Sequence, residues 1–144
     1  MLFRSGGVMD GAGIAACLML GAQAAQLGTA FILCPESSAD EGYRSALRSP
    51  GSRHTTMTKA ISGRPARCLA NHFTALGDTI EPEAVPDYPI AYDAGKSLHA
   101  AAKAAGEFGF GPQWAGQGAA LARSLPAGLL VEKLAAELDE RLSL

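Results

Sequence analysis

The chain opens with short apolar runs interrupted by glycines, a pattern typical of strands and helices that pack closely together. Asp10 is a suitable N-cap for a helix over 11–21, which Gly21 ends. The apolar stripe of this helix consists of Ile14, Ala15 and Leu18. Residues 23–28, QAAQLG, predict a short strand. A strand end, a helix and a second strand are therefore expected to follow one another at the start of the chain.

The middle of the chain mixes helical and strand-like patterns. An acidic stretch followed by apolar positions predicts a helix over 36–49, since acidic residues favour the first turn of a helix. Residues 53–59, RHTTMTK, are rich in β-branched side chains and predict a strand. The segment 62–73, SGRPARCLANHF, predicts a turn followed by a helix from Ala66. Three prolines and several acids predict a long surface loop over 77–92.

The last third of the chain is predicted to be mostly helical. Residues 93–106 are rich in alanine, with Asp93 as the N-cap and Gly106 as the end of the helix. The buried face of this helix is predicted to consist of Leu98, Ala101, Ala102 and Ala105. Residues 107–118, EFGFGPQWAGQG, form a glycine-rich loop that carries the only tryptophan. Pro126 begins a final helix with leucines at helical spacing. These leucines stand at positions 130, 134, 138 and 142.

Composition narrows the class of protein. The 144 residues are 48% hydrophobic, enough to build a core, and the net charge of −2 gives no attraction for nucleic acid. The three cysteines form no CxxC pair, so we expect reduced, buried thiols in a cytoplasmic protein. We expect a single partial domain, with βα units over 6–35, a helix, strand and loop excursion over 36–92, and helices over 93–144.

An uncharged run from Gly11 to Cys34 raises the alternative of a secretory signal or a membrane segment. Within it, IAACLMLGAQA has the apolar character and small residues of a cleavable signal. The glycines that interrupt the run, the preceding Asp10 and the two glutamines at 23 and 26 fit poorly in lipid. We therefore expect no contact with a membrane.

Two glycine sites lie 21 residues apart, at the ends of the predicted strands. Gly6 and Gly7 precede the first helix, and Gly28-Thr29 follow the second strand. Glycine leaves backbone N–H groups uncovered and permits a positive φ. In (β/α)₈ barrels the loops after strands 7 and 8 form the recurrent phosphate site. The pattern leaves two interpretations open, a phosphate site or ordinary tight turns.

Three motifs in the same order resemble the nitronate monooxygenase (2-nitropropane dioxygenase) family of FMN-dependent barrels. They are GGVMDGAGIAACLMLGAQAAQLGTAF, SGRPARCLANHF and WAGQG, and the resemblance extends from residue 6 to about residue 138. It implies an α/β fold, namely the last two βα units of a (β/α)₈ TIM barrel followed by a helical C-terminal region. On this resemblance the chain starts at the end of the seventh strand, although residues 1–5, MLFRS, lack the Val, Ile and Ala run typical of such a strand.

The resemblance implies a flavoprotein oxidoreductase that oxidises alkyl nitronates with O₂ to a carbonyl compound and nitrite. It implies that the FMN phosphate is bound by Gly6, Gly7, Gln26, Leu27, Gly28 and Thr29. Thr29 suits this role because its backbone N–H and its hydroxyl can both donate. Ala30 departs from the family, which carries arginine in GTRF, and this weakens the expected positive charge. No metal is expected.

No catalytic residue is expected in the chain, because the family's histidine belongs to an upstream motif that nothing here matches. The three histidines are interpreted as surface or helix-face residues. They are His54, His72 and His99. Trp114 and Gln117 are candidates for contact with the flavin or its substrate. A packing role for Trp114 is an equally good interpretation.

Two other functions remain open. An FMN-dependent enoyl-acyl carrier protein reductase shares the glycine motifs, but GRPAR and WAGQG favour the nitronate monooxygenase family. A non-catalytic flavin- or phosphate-binding fragment is the second, because two parallel strands cannot close a barrel and their open edge invites self-association. The expected partners are small molecules, with neither nucleic acid nor membrane. We expect the 144-residue chain to be inactive by itself.

Overall fold

The computed structural model describes residues 3–143 and divides into two compact units. One unit is the chain up to Ala39 together with the chain from Gly116 onward, and the other is Asp40–Ala115. In chain order the elements are β1 (Phe3–Ser5), α1 (Gly11–Met19), β2 (Ala24–Gln26), α2 (Glu41–Arg48), β3 (Thr55–Thr58), β4 (Ala66–Leu69), α3 (His72–Gly77), α4 (Ile90–Ala104) and α5 (Ala127–Leu142). Short 3₁₀ turns lie at Thr29–Phe31, Pro50–Arg53, Pro82–Ala84 and Ala119–Leu121. The predicted α/β class is confirmed.

The first unit contains the expected strand, helix and strand. The side chain of Asp10 accepts a hydrogen bond from Gly13 N at 2.8 Å, which confirms it as the N-cap of α1. Strands β1 and β2 pair in parallel, with Ser5 opposite Gln26. Residues 3–5 form β1 although MLFRS lacks the Val, Ile and Ala run typical of a strand; Met1 and Leu2 lie outside the described residues.

The core of the first unit lies between these elements and α5. Its buried members are Met9, Ala30, Cys34, Leu130 and Leu134. The leucine stripe predicted for α5 is confirmed at positions 130 and 134, whereas Leu142 is exposed. Helix α1 packs closely on α5 at Gly11, where an added Cβ would lie 2.6 Å from the carbonyl carbon of Glu137. Any larger residue than glycine would push these helices apart.

A charged network closes the start of α1. Glu137 Oε2 accepts from Gly11 N at 3.0 Å, and Arg123 Nη1 donates to Glu137 Oε1 at 2.6 Å. Arg123 Nη2 also donates to Met9 O at 3.0 Å. The hydrogen bonds from Arg123 and from the Gly11 amide lower the pKa of the Glu137 carboxyl. The N-terminus of α1 therefore already has its anionic partners.

The second unit contains the antiparallel pair β3–β4, with Thr55 opposite Leu69. The helix predicted from Ala66 was wrong, because Ala66–Leu69 is β4 and α3 begins only at His72. Pairing with the threonine-rich β3 buries Cys68 and Leu69, and this outweighs the helix propensity of alanine and leucine. Arg67 Nη1 reinforces the pair by donating to Thr55 O at 3.2 Å.

Helix α4 starts earlier than predicted and buries a different face. It begins at Ile90, so Asp93 lies in its first turn rather than at its cap. The predicted buried face was wrong: Leu98 is 37% exposed, and the buried residues are Ala91 and Gly95. At Gly95 an added Cβ would lie 2.8 Å from Ile61 O. The face of α4 that packs against the rest of the unit is thus the one that carries Gly95, because only glycine lets the helix come this close to Ile61 O.

The loop over 107–115 is held by the end of β4. Asn71 caps α3, and its Nδ2 donates to Gly111 O at 3.0 Å and to Gln113 Oε1 at 3.2 Å. Ala115 N donates to Arg67 O at 3.1 Å. The SGRPARCLANHF motif thus builds a strand and a helix cap that fix the glycine-rich loop.

Three further predictions concern the whole described chain. The three cysteines are buried and none of them forms a disulfide, as predicted. None of the helices in 3–143 has both the length and the apolar character needed to span a bilayer. The described residues contain no cluster of three or more His, Cys, Asp or Glu side chains arranged to hold a metal ion.

Candidate functional site

The two glycine sites meet at one edge of the parallel sheet. Because β1 and β2 are parallel and in register at their last residues, the segments that follow them leave the sheet side by side. Gly6 and Gly7 are exposed and have φ of +95° and +76°. Only glycine adopts this conformation readily. We call Gly6, Gly7 and the residues 26–29 the strand-end site.

Gly28 has a different reason to be glycine. Its φ of −113° and ψ of −63° are accessible to other residues, and an added Cβ would meet no atom within 4 Å. Neither backbone conformation nor packing therefore requires glycine there. The missing side chain leaves open space directly beside the strand end, which a ligand can occupy.

Thr29 joins this edge to a distant part of the first unit. Its Oγ1 accepts a hydrogen bond from Gly116 N at 3.0 Å. A threonine hydroxyl carries one proton and two lone pairs, so this bond leaves its own proton free to donate. Thr29 therefore holds Gly116 and keeps a hydroxyl proton to donate, while its binding of an anion stays a prediction.

Gly116 and Gly118 pack on Gly7 so closely that neither position has room for a Cβ. An added Cβ at Gly116 would lie 2.8 Å from Gly7 N, and one at Gly118 would lie 2.8 Å from Gly7 O. Gln117, between these glycines, is exposed. The second half of WAGQG thus forms one wall of the strand-end site and brings the Gln117 residue to it.

Among the other residues in and beside the strand-end site, some are accessible to a ligand and others pack in the core. Gln26 is exposed, so its side chain is accessible beside the strand end. Leu27 packs against the core cluster of the first unit, which leaves its backbone for a ligand. Ala30 is 2% exposed and belongs to the core. Position 30 therefore supplies packing in this chain, and an anion would be held by neutral donors.

Trp114 belongs to the second unit and packs against its core. The residues of that cluster are Ile61, Cys68 and Phe73. The hydroxyl of Tyr43 donates to the carbonyl oxygen of Trp114. Burial raises the pKa of the Cys68 thiol to about 11, so this neighbour stays an uncharged thiol at neutral pH. These contacts support the packing role of Trp114, while contact with a flavin stays a prediction.

The histidines all lie in the second unit and form loose contacts. His54 is exposed, His72 Nδ1 lies 3.5 Å from Glu107 Oε2, and His99 Nε2 lies 3.8 Å from Asp40 Oδ2. Asp40 is already bound by Lys103 Nζ at 2.8 Å. The absence of a catalytic residue from the chain stays a prediction.

Sequence reasoning missed the contact of Gly116 and Gly118 with Gly7 and Thr29. Two glycines flanking one polar residue were visible in WAGQG, and they indicate a close backbone approach. The partner could not be identified from the sequence, because Thr29 and Gly116 are 87 positions apart.

Comparison with known proteins gives consistent matches over nearly the whole chain. The sequence model of the family described as Nitronate monooxygenase matches residues 2–137. The nitronate monooxygenase of Paraburkholderia phytofirmans is 66% identical over 140 residues, covering 96% of this chain and 38% of that protein. The nitronate monooxygenase of Pseudomonas aeruginosa is 54% identical over 136 residues, covering 93% of this chain and 38% of that protein.

Two solved structures extend the comparison to the fold. A nitroalkane oxidase from Streptomyces ansochromogenes superposes with a TM-score of 0.89 at 46% identity, covering 98% of this chain and 40% of that one. FabK from Thermotoga maritima gives a TM-score of 0.73 at 29% identity, covering 98% and 45% respectively. The chain thus spans about two fifths of the length of these relatives.

Proposed function

The chain belongs to the nitronate monooxygenase family, a family of oxidoreductases, and from that premise we propose that it forms the flavin-phosphate end of an FMN-dependent enzyme. Its fold is that of the C-terminal part of a (β/α)₈ TIM barrel. The proposed reaction is the oxidation of an alkyl nitronate with O₂ to a carbonyl compound and nitrite. Because the chain spans 38% of its curated relatives, this activity is proposed for a whole barrel.

The open space at the strand-end site carries the proposal. Added Cβ atoms at Gly6, Gly7 and Gly28 would meet nothing within 4 Å, so a phosphate can approach their backbone closely. FMN, when bound, supplies redox chemistry with O₂ that amino-acid side chains lack. The residues that would hold its phosphate are the backbone donors of this site and the hydroxyl of Thr29.

The strand-end site would bind the phosphate with uncharged groups. Ala30 lies in the core, and the N-terminus of α1 is bound by Asp10 and Glu137. Binding would therefore rest on several N–H and O–H donors rather than on an ion pair. A hydrogen bond to a charged group contributes about 1.5–3 kcal/mol, so three or four would suffice for a stably bound phosphate.

The remaining side chains would shape the region around the flavin. Gln117 is exposed on the wall next to Gly7, and we propose that its carboxamide contacts the flavin or the substrate. For Trp114 we propose that any effect on catalysis follows from fixing the loop over 107–115, because its contacts lie in the core of the second unit.

The proposed partners and cellular location follow from membership of the nitronate monooxygenase family. The partners would be a nitronate and O₂, with no nucleic acid, and the location would be cytoplasmic. The open edge of the β1–β2 pair would support self-association when the 144 residues are alone. We also propose that these residues alone are inactive, since they span two fifths of the relatives' length.

A barrel chimera tests the function. In this chimera, the chain replaces the matching segment of the Paraburkholderia phytofirmans nitronate monooxygenase, to which it is 66% identical. We expect bound FMN and nitrite release from a simple alkyl nitronate. The second candidate, an enoyl-acyl carrier protein reductase, predicts instead NAD(P)H-driven reduction of an enoyl thioester without nitrite. That result would overturn the proposed reaction while leaving the flavin site in place.

A further inference from the structure

Thr29 belongs to the strand-end site and also contacts the segment Gly116–Gly118. On one side its hydroxyl oxygen accepts from Gly116 N at 3.0 Å. On the other side it directly follows Gly28, whose open space is the proposed phosphate position. The side chain is half-buried, so the hydroxyl can reach both the protein interior and a ligand.

The hydrogen bond from Gly116 N uses the Thr29 hydroxyl oxygen as an acceptor and leaves the hydroxyl proton available to a ligand. One lone pair of Oγ1 is taken by the Gly116 amide, and the single hydroxyl proton has no part in that bond. An acceptor at the strand-end site can use that proton. A donor that is itself accepting a hydrogen bond is polarised, so the two bonds strengthen each other.

Gly116 in turn is held tightly against Gly7. An added Cβ at Gly116 would lie 2.8 Å from Gly7 N and 3.3 Å from Gly7 Cα. Because the backbones are in contact, a displacement of Gly116 forces a displacement of Gly7. The position of Gly116 therefore bears on the positive-φ pair Gly6-Gly7 that the cradle requires.

We propose that Thr29 is a positioning residue that couples phosphate binding to the segment Gly116–Gly118. Its hydroxyl accepts from the Gly116 amide and donates to a phosphate oxygen, so each contact stabilises the other. This inference rests on the proposed function, because it requires a phosphate at the strand-end site. Coupling is reciprocal: the phosphate orders the segment, and the ordered segment improves phosphate affinity.

Two substitutions separate coupling from packing. Thr29→Val keeps the branched shape but removes the hydroxyl, while Thr29→Ser keeps the hydroxyl and removes a methyl group. If Thr29 acted only by packing, the valine variant would resemble the wild type and the serine variant would be impaired. Coupling through the hydroxyl predicts the opposite order.

The test is amide hydrogen exchange at Gly116 in the barrel chimera, with inorganic phosphate as the ligand. In Thr29→Val we expect exchange about tenfold faster, the factor that corresponds to one lost hydrogen bond, whereas Thr29→Ser should restore protection. Adding phosphate should slow exchange at Gly116 in the wild type and in Thr29→Ser, with no change in Thr29→Val. The internal reference is the amide of the buried Leu130, which donates to the carbonyl oxygen of Pro126 at the N-cap of α5.

The outcomes distinguish this inference from the proposed function. If phosphate changes the amide exchange rates at Gly7 and Gly28 but not the rate at Gly116, the coupling is overturned and the phosphate site is left intact. No response at any of these amides would refute both. In the barrel chimera, the dissociation constant for FMN gives a second measurement: Thr29→Val should raise it about tenfold and Thr29→Ser by less than about twofold. Equal affinities in both variants would also overturn the coupling.

Discussion

Replacing Gly28 by valine separates a ligand-binding glycine from a structural one. The φ of −113° at Gly28 is accessible to valine, and an added Cβ meets nothing within 4 Å. We therefore expect the free energy of unfolding to change by no more than about 0.5 kcal/mol, as for other exposed substitutions. A glycine needed for the fold would give a much larger loss.

The same substitution should be severe for FMN. The branched side chain would fill the space beside the backbone donors of Gly28 and Thr29. Losing about two hydrogen bonds to a charged phosphate, at about 1.5–3 kcal/mol each, weakens binding by about 3–6 kcal/mol. The dissociation constant should therefore rise by about 10² to 10⁴-fold.

The assay is titration of the barrel chimera with FMN, followed by the change in flavin fluorescence, together with urea unfolding of each variant. Gly128→Val is the matched control, because Gly128 is also exposed and an added Cβ there meets nothing within 4 Å. We expect the control to bind FMN like the wild type. Wild-type affinity in Gly28→Val would refute the assignment of Gly28 to the phosphate cradle.

Three other predictions follow from separate contacts. Trp114→Ala should lower the stability by about 2–4 kcal/mol through the cavity it leaves against Cys68 and Phe73, with FMN content unchanged; an unchanged melting temperature with altered turnover would contradict this. The lowered pKa of Glu137 stabilises the folded protein at pH values above the ordinary carboxyl pKa of 4.5, and this stabilisation is lost as the pH falls through the lowered folded-state pKa. The urea midpoint of Glu137→Gln should therefore lie well below that of the wild type at pH 7 and approach it at pH 3. A gap that is equal at both pH values would refute that contribution. The 144-residue chain alone should release no nitrite from a nitronate and bind FMN weakly; tight stoichiometric FMN with turnover would show a self-sufficient enzyme.

Much of the first unit could be predicted from the sequence because its signals are local. Asp10 as a cap and the leucines of α5 depend on neighbours three or four positions away. The glycines at 6, 7 and 28 were also visible, since bare backbone at the ends of two successive strands is typical of an anion site. The phosphate assignment needed the family resemblance in addition, because tight turns use glycine as well.

The errors arose where a distant partner decides the structure. Ala66–Leu69 is helical by composition, but pairing with Thr55–Thr58 makes it a strand. The buried face of α4 follows from the approach of Ile61 O to Gly95, a contact that periodicity does not encode. The hydrogen bond between Thr29 and Gly116 could not be predicted for the same reason, because the two residues are far apart in sequence and no local pattern indicates the contact.

The central claim is that this chain binds the phosphate of FMN at its strand-end site. Comparing FMN with riboflavin, which has the same ring system without the phosphate, tests it most directly. In the barrel chimera, we predict that FMN binds at least about 100-fold more tightly than riboflavin, because about two or more charged hydrogen bonds are at stake. In Gly28→Val, this preference should largely vanish while riboflavin binding stays the same. Equal affinities for the two flavins in the unmutated chimera would contradict the account.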